Sequence, residues 1–235
     1  MPVAPDLPEK YYLDNFNFVL NHVAQLYADI INEDERTFYD DFMGLSESAQ
    51  CLYVRLLSRR GDWFRRDKIA YAEISDTDAA AAELQSQRFL EIYDLQSGGL
   101  PQEDDWLNLF TRQELATAIQ TSTGQKVTAS LRKKELLTRF EENSEQLVTG
   151  LPDTEIYCVY GEQELDTFRL LFFGNLYQDF TEFVLRDLGF YRYESYNLNA
   201  ASRWCHQRSD LEAHRLYYAL REEAGELKDH SKESL

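Results

Sequence analysis

A mainly helical fold with a few short strands, an α+β arrangement, is what the sequence predicts. Two stretches, residues 9–31 and 46–57, repeat apolar side chains at helical spacing. Two others, residues 89–95 and 155–160, are short and read as strands, and glycine-bearing breaks separate the segments.

The first element, "EKYYLDNFNFVLNHVAQLYADII", sets Leu13, Phe16, Leu20, Val23, Tyr27 and Ile30 on one wide helical face. His22 lies beside that face and reads as a hydrogen-bonded helix histidine. The acidic "NEDERTFYDD" that follows reads as a solvated connection or a short helix. Ser46 is a plausible N-cap for the next helix, in which Ala49, Leu52, Tyr53, Leu56 and Leu57 recur at i, i+3, i+4, i+7 and i+8 until Gly61 ends it. "DWF" reads as extended and "RRDKIAYAEI" as another short helix. A third helix, capped by Ser75 or Asp76, runs into a strand from Phe89 to Leu95, and "QSGGLP" breaks the chain. Helix, short strand, helix, helix, strand is the plan of a winged helix-turn-helix. Its third helix is poor in groove-reading side chains, being rich in alanine and acid with no Lys or Arg before Arg88.

A second small unit begins near Asp105. A helix starting near Thr111, a turn at Gly124 and the helix "LRKKELLTRFEEN" resemble the SAP-type helix-extended-helix that grips DNA backbones. Lys126, Arg132, Lys133, Lys134 and Arg139 cluster there, with Glu135 the one acid between residues 126 and 139. Beyond it, "EIYCVY" reads as a half-buried strand, "FRLLFFGN" is nearly all apolar, and "QDFTEFVLRDLGFYRYESY" mixes a helical pattern with aromatic side chains. The last segment is helical from about Ser209 and ends in a hydrophilic tail. The expected organisation is an N-terminal helix and connection (1–43), a winged-helix-like domain (44–100), a SAP-like unit (101–145), a mixed strand and helix region (146–200) and a helical end (201–235).

Composition narrows the function classes. The 235 residues can form one large domain or two or three small ones, and 43% apolar with 14% aromatic residues is enough to offset chain entropy. No basic start followed by an apolar run suggests a signal peptide, and no stretch has the length of a membrane span, so a soluble, cytoplasmic protein without membrane contact is expected. Three widely spaced cysteines, Cys51, Cys158 and Cys205, fit small buried side chains in a reducing compartment rather than a disulfide framework. The net charge of −18 disfavours indiscriminate adhesion to polyanions. Residues 46–71 nevertheless carry six cationic side chains against three acidic ones, and a local basic strip acts on phosphates within about one Debye length.

Catalytic patterns are not convincing. Pro152-Asp153 and Glu226-Leu-Lys228 match the PD and ExK elements of a metal-dependent nuclease, but the second lies in a polar segment without strand character, whereas that chemistry needs rigidly aimed carboxylates. Cys205-His206 has no second pair at zinc-ligand spacing. Neither a phosphate-binding glycine loop nor a G-x-S-x-G elbow occurs.

"KYYLDNFNFVLNHV", "LSESAQCLYVRLLSRRGDWFRRDKIAYAEI" and "LLFFGNLYQDFTEFVLRDLGFYRYESY" together resemble the N-terminal half of the Fanconi-anaemia-associated nucleases, the VRR-NUC family, in a bacterial-type form. The resemblance implies a winged-helix and SAP-type DNA-binding portion, a helical TPR-like middle and a C-terminal nuclease domain. It also implies cleavage of 5′ flaps and branched DNA in interstrand crosslink repair, with Mg2+ or Mn2+ as the metal of that nuclease domain. The chain is expected to stop near the start of the TPR-like middle, so no catalytic residue carries over. Arg59, Arg60, Arg65, Arg66 and Lys68 fall where relatives bind duplex, and the basic helix of the SAP-like unit, with Lys126, Arg132, Lys133, Lys134 and Arg139, is the second candidate.

The expected function is a structure-selective hold on branched or flapped double-stranded DNA, bacterial and nucleoid-associated during repair, with the TPR-like and nuclease regions as further partners. Five neutralised phosphates would give a salt slope of about −4 or −5. Trp63 is expected to pack helices together. The alternative is a protein-interaction or self-association module using the acidic surface and the Tyr/Phe-rich residues 168–196.

Overall fold

The computed structural model describes residues 8–97, 99–102, 104–128, 130–178 and 200–233. The chain forms two compact units, Ser46–Tyr160 and one built from Met1–Leu45 with Gly161–Leu235. Both are rich in helix, and the strands lie in the first, as the α+β expectation requires.

In the second unit, α1 (Tyr11–Leu26) and α2 (Glu33–Gly44) pack on α7 (Glu162–Phe173), and α8 (Arg208–Glu233) lies against α7. Leu13, Phe16, Leu20, Val23, Tyr27 and Ile30 are all buried, so the helical period marks the core face correctly, although the helix itself stops at Leu26. The acidic connection is a helix because Asn32 and Glu35 close a reciprocal capping box, which satisfies two otherwise orphaned amides. Phe16 meets Phe42 at 5.0 Å between ring centroids. "FRLLFFGN" falls in α7 and the turn that ends it, where Gly174 takes a left-handed φ of 72°. The mixed aromatic segment, residues 178–196, lies outside the described residues from 179 onward.

The unit Ser46–Tyr160 has helices on both faces of a small sheet. Its elements are α3 (Glu47–Leu57), β1 (Trp63–Arg65), α4 (Thr77–Ser86), β2 (Leu90–Asp94), α5 (Arg112–Thr123), α6 (Lys133–Leu147) and β3 (Glu155–Val159). Ser46 caps α3 by accepting from the Ala49 amide at 3.3 Å, Asp76 caps α4 by accepting from Ala79 at 2.9 Å, and Thr111 forms a capping box with Glu114 on α5. Each cap is worth about 1 kcal/mol.

Strand order is β1-β3-β2, all antiparallel, with Trp63, Cys158 and Glu91 in one cross-strand row and Arg65, Ile156 and Tyr93 in another. The middle strand thus comes from residues that the sequence assigns to a region beyond the SAP-like unit; a cross-strand pairing over such a distance leaves no local trace. Strand alternation puts these two rows on one face, where Trp63, Tyr93 and Ile156 pack with Trp106, Phe110, Leu115 and Phe140. Trp63 therefore joins the sheet to the α5–α6 hairpin. It packs a sheet face on helices, where the sequence reading expected it to pack helices together. The stretch "RRDKIAYAEI" is not a helix: a single 3-10 turn, Arg66–Lys68, is followed by irregular chain pinned by buried Ile69 and Ile74, whose spacing of five does not match a helical face. All three cysteines are buried and reduced.

Candidate nucleic-acid interface

The cationic strip after α3 is assembled from three local conformations. Arg59 and Arg60 follow the helix cap at Ser58 and are exposed, and the Arg59 guanidinium lies 5.2 Å from the Phe64 ring centroid, a cation–π contact at the surface. Gly61, with φ of 83°, then turns the chain into β1. Within β1, alternation sends Arg65 to the covered face of the sheet.

Arg65 is only 4% exposed. Its Nε and Nη2 donate to the two carboxylate oxygens of Asp67, each at 2.9 Å, its Nη1 donates to Glu114 at 2.8 Å, and its guanidinium stacks 4.6 Å from the Phe110 centroid. Burial works against its charge, but the bonds to Asp67 and Glu114 outweigh it and raise its pKa above the ordinary arginine value. Arg65 is therefore unavailable to a phosphate, which corrects the sequence expectation. Arg66 is half-buried, donating through Nε to Asp78 and through Nη1 to the Ile69 carbonyl at 3.1 Å. A phosphate would have to displace Asp78. Lys68 is 61% exposed, with Asp67 3.3 Å away. The strip thus reduces to Arg59, Arg60 and Lys68 as outward charges.

The second candidate set sits on the α5–α6 hairpin. Gly124 closes α5 in the left-handed conformation with φ of 71°. Arg112 then ties down the connecting loop, donating to the carbonyls of Leu131 at 2.8 Å and Thr128 at 3.2 Å. Lys126, Arg132, Lys134 and Arg139 are exposed, whereas Lys133 is half-buried and donates to the Asn108 carbonyl at 2.8 Å. Four of the five expected charges on this hairpin meet solvent. Arg88, which sequence reading noted only as the first cation after α4, is exposed at the α4–β2 turn with φ of 62°.

The acidic excess is unevenly spread. Ser46–Tyr160 holds 13 of the 24 Lys and Arg residues but only 19 of the 42 Asp and Glu, so the larger part of the negative charge belongs to the other unit. Within Ser46–Tyr160, acid gathers in a groove of about 700 Å³ lined by Asp67, Asp78, Asp94, Asp153 and Glu155 with Arg66 at its edge. A phosphate backbone would avoid that groove. Among the described residues no three His, Cys, Asp or Glu side chains are arranged to hold a metal ion, and Glu226-Leu-Lys228 lies in α8 rather than on a strand. The described residues do not assemble a metal-dependent cleavage site. No helix among the described residues is long and apolar enough to cross a membrane.

Comparison with known proteins agrees with this architecture. Residues 10–91 match the family described as FAN1, HTH domain. The Fanconi-associated nuclease 1 homolog of Pseudomonas aeruginosa is 38% identical over 227 residues, covering 91% of this chain and 38% of that protein. The homolog of Oryza sativa subsp. japonica is 29% identical over 85% of this chain and 22% of its own length. A crystal structure of paFAN1 bound to a 2-nucleotide 5′-flap DNA with a gap superposes with a TM-score of 0.74 at 36% identity, covering 94% of this chain and 40% of that one. A second, with a 1-nucleotide flap, gives 0.72 at 33% identity over 93% of this chain and 40% of that one. The chain spans about two fifths or less of the length of these relatives, and over that stretch it belongs to the Fanconi-associated nuclease family.

Proposed function

We propose that this chain is a DNA-holding portion of a DNA-repair nuclease, gripping one duplex arm of a 5′-flapped or otherwise branched substrate by its phosphates. The observation that carries the reading is the outward display of Arg59, Arg60, Lys68, Lys126, Arg132, Lys134 and Arg139 from one unit of a chain whose net charge is −18. The likeness to paFAN1 structures on 5′-flap DNA supports it. These contacts would position the duplex with little reading of its sequence, because α4 offers mostly acids and alanines, with Gln85 as its one amide side chain, and its Asp78 and Glu83 are taken up by Arg66 and Ser46. In a complete nuclease the metal, Mg2+ or Mn2+, would belong to a catalytic region elsewhere, and the duplex held here would set where that region meets the branch.

Fluorescence anisotropy with a labelled 5′-flap duplex tests this. The chain binds, and Arg59→Glu with Arg60→Glu, or Lys134→Glu with Arg139→Glu, each weakens binding at least tenfold while the fold is kept. Equal binding by the wild-type chain and both pairs of variants overturns it. The second reading, a protein-interaction module, has one observation in its favour: Leu216, Tyr217 and Leu220 on α8 are each at least 55% exposed. That reading predicts no DNA binding and a change of mass in solution with a partner protein or a second copy.

A further inference from the structure

Among the described residues, the buried polar or charged side chains are Asn15, Glu35, Arg65 and Thr167, and Arg65 is the cation of that set. Its surroundings link three segments of the unit Ser46–Tyr160. On one side, Asp67 receives the forked pair of bonds, and its Oδ1 also accepts from the Thr154 hydroxyl at 3.2 Å, just before β3. On the other, Glu114 receives the third bond on Oε1, while its Oε2 accepts from the Thr111 amide at 2.7 Å and hydroxyl at 2.9 Å, so the same carboxylate closes the first turn of α5. Beneath the guanidinium lies Phe110, fully buried with Trp106 and Leu115 in the core of the hairpin.

A buried ion cluster is a costly way to obtain stability, because the desolvation of each charge offsets most of the attraction, and a well-packed apolar side chain can do as well. What the guanidinium supplies beyond packing is direction. Its planar fork fixes Asp67 along one edge and Glu114 along another, an arrangement no amine or methyl group reproduces.

We propose that Arg65 is a positioning residue, the pin that sets the α5–α6 hairpin at a fixed attitude to the sheet so that the cations after α3 and those on the hairpin engage one duplex together. This rests on the DNA-holding reading above. Loss of the pin removes no outward charge. It lets the two sets of cations reorient relative to each other, so they no longer reach phosphates of the same duplex at the same time.

The experiment uses the full chain with Arg65→Lys, which keeps the charge without the fork, and Glu114→Gln, which keeps an acceptor without the charge. Spin labels on Arg60→Cys and Lys134→Cys report the distance between the two sets, since the three native cysteines are buried. The expected result is one narrow distance distribution in the parent chain and a broadened one in each variant. Unlabelled variants should bind the 5′-flap duplex about tenfold more weakly, with a salt slope shallower by about two. If Arg65→Lys fails to fold by circular dichroism, Glu114→Gln carries the test. A distribution that stays narrow in the folded variants overturns the pin whatever the DNA does. A parent chain that binds no DNA sinks the DNA-holding reading, and with it the pin's proposed role in binding, while the distance data still report on the joint itself.

Discussion

At Gly150 there is no room for a methyl group. A Cβ built there would lie 2.5 Å from the Ala118 carbonyl oxygen and 2.8 Å from the Ala118 Cα, both backbone atoms that cannot swing aside, so the turn after α6 rests directly on α5. Gly150→Ala should therefore lower stability by about 1–3 kcal/mol in chemical denaturation, whereas Gly44→Ala, with nothing within 4 Å, should be neutral or slightly stabilising. Arg88 presents the opposite case. A non-glycine residue with φ of 62° closes the α4–β2 turn, where glycine would be at ease. Arg88→Gly should raise stability by about 0.5–1 kcal/mol. If the exposed guanidinium contributes to DNA binding, the same substitution should make the anisotropy salt slope shallower by about one. A variant that gains stability and keeps the parent slope removes Arg88 from the interface. Neither residue could be recognised from sequence, because one depends on a contact between distant backbones and the other on a local conformation its residue type does not favour.

In the unit around α7, one carboxylate ties α2, α7 and α8 together. Glu35, 2% exposed, caps α2 through the Asn32 amide, accepts from Thr167 on α7 at 2.6 Å, and pairs with Arg208 at 2.6 Å and Arg215 at 3.5 Å on α8. Burial alone would favour its neutral form, but the bonds from Arg208 and Thr167 outweigh burial and hold its pKa below the ordinary 4.5. The folded pKa is depressed, so its contribution is complete above the unfolded value and is lost as the pH falls through the folded one. Glu35→Gln should cost about 2–4 kcal/mol at neutral pH, since it leaves two guanidinium groups with a neutral partner. Urea midpoints should converge for the two proteins as the pH falls from the ordinary 4.5 through the lower folded pKa. Curves that stay parallel throughout that fall would show that the carboxylate contributes no such linkage. The caps at Ser46 and Asp76, the start of α5 near Thr111 and the turn at Gly124 were legible in the sequence because each is decided within a few residues, whereas α3 ends at Leu57 with its cap at Ser58, before the Gly61 stop that the sequence suggested. The place of β3 in the sheet, the loss of Arg65 from the surface and the partners of Glu35 were not, because each is decided by residues tens of positions away.

For the chain as a whole, the net charge misleads unless it is divided. Most of the negative charge lies outside Ser46–Tyr160, and within that unit acids line a groove while seven of the ten candidate cations point outward. Sequence runs marked two basic stretches but could not say which members would face solvent, since strand alternation and ion pairing turned Arg65 and Arg66 inward and a backbone carbonyl took Lys133. If all seven outward cations reached phosphates, the salt dependence of binding would have a slope of about −6, and partial engagement would give about −4. The anisotropy of a 5′-flap duplex titrated with this chain across a salt series measures that slope directly. A phosphate grip gives a value between about −4 and −6 that flattens when Arg59, Arg60, Lys134 and Arg139 are all replaced by Glu. A slope near zero, or one that the four replacements leave unchanged, would contradict it.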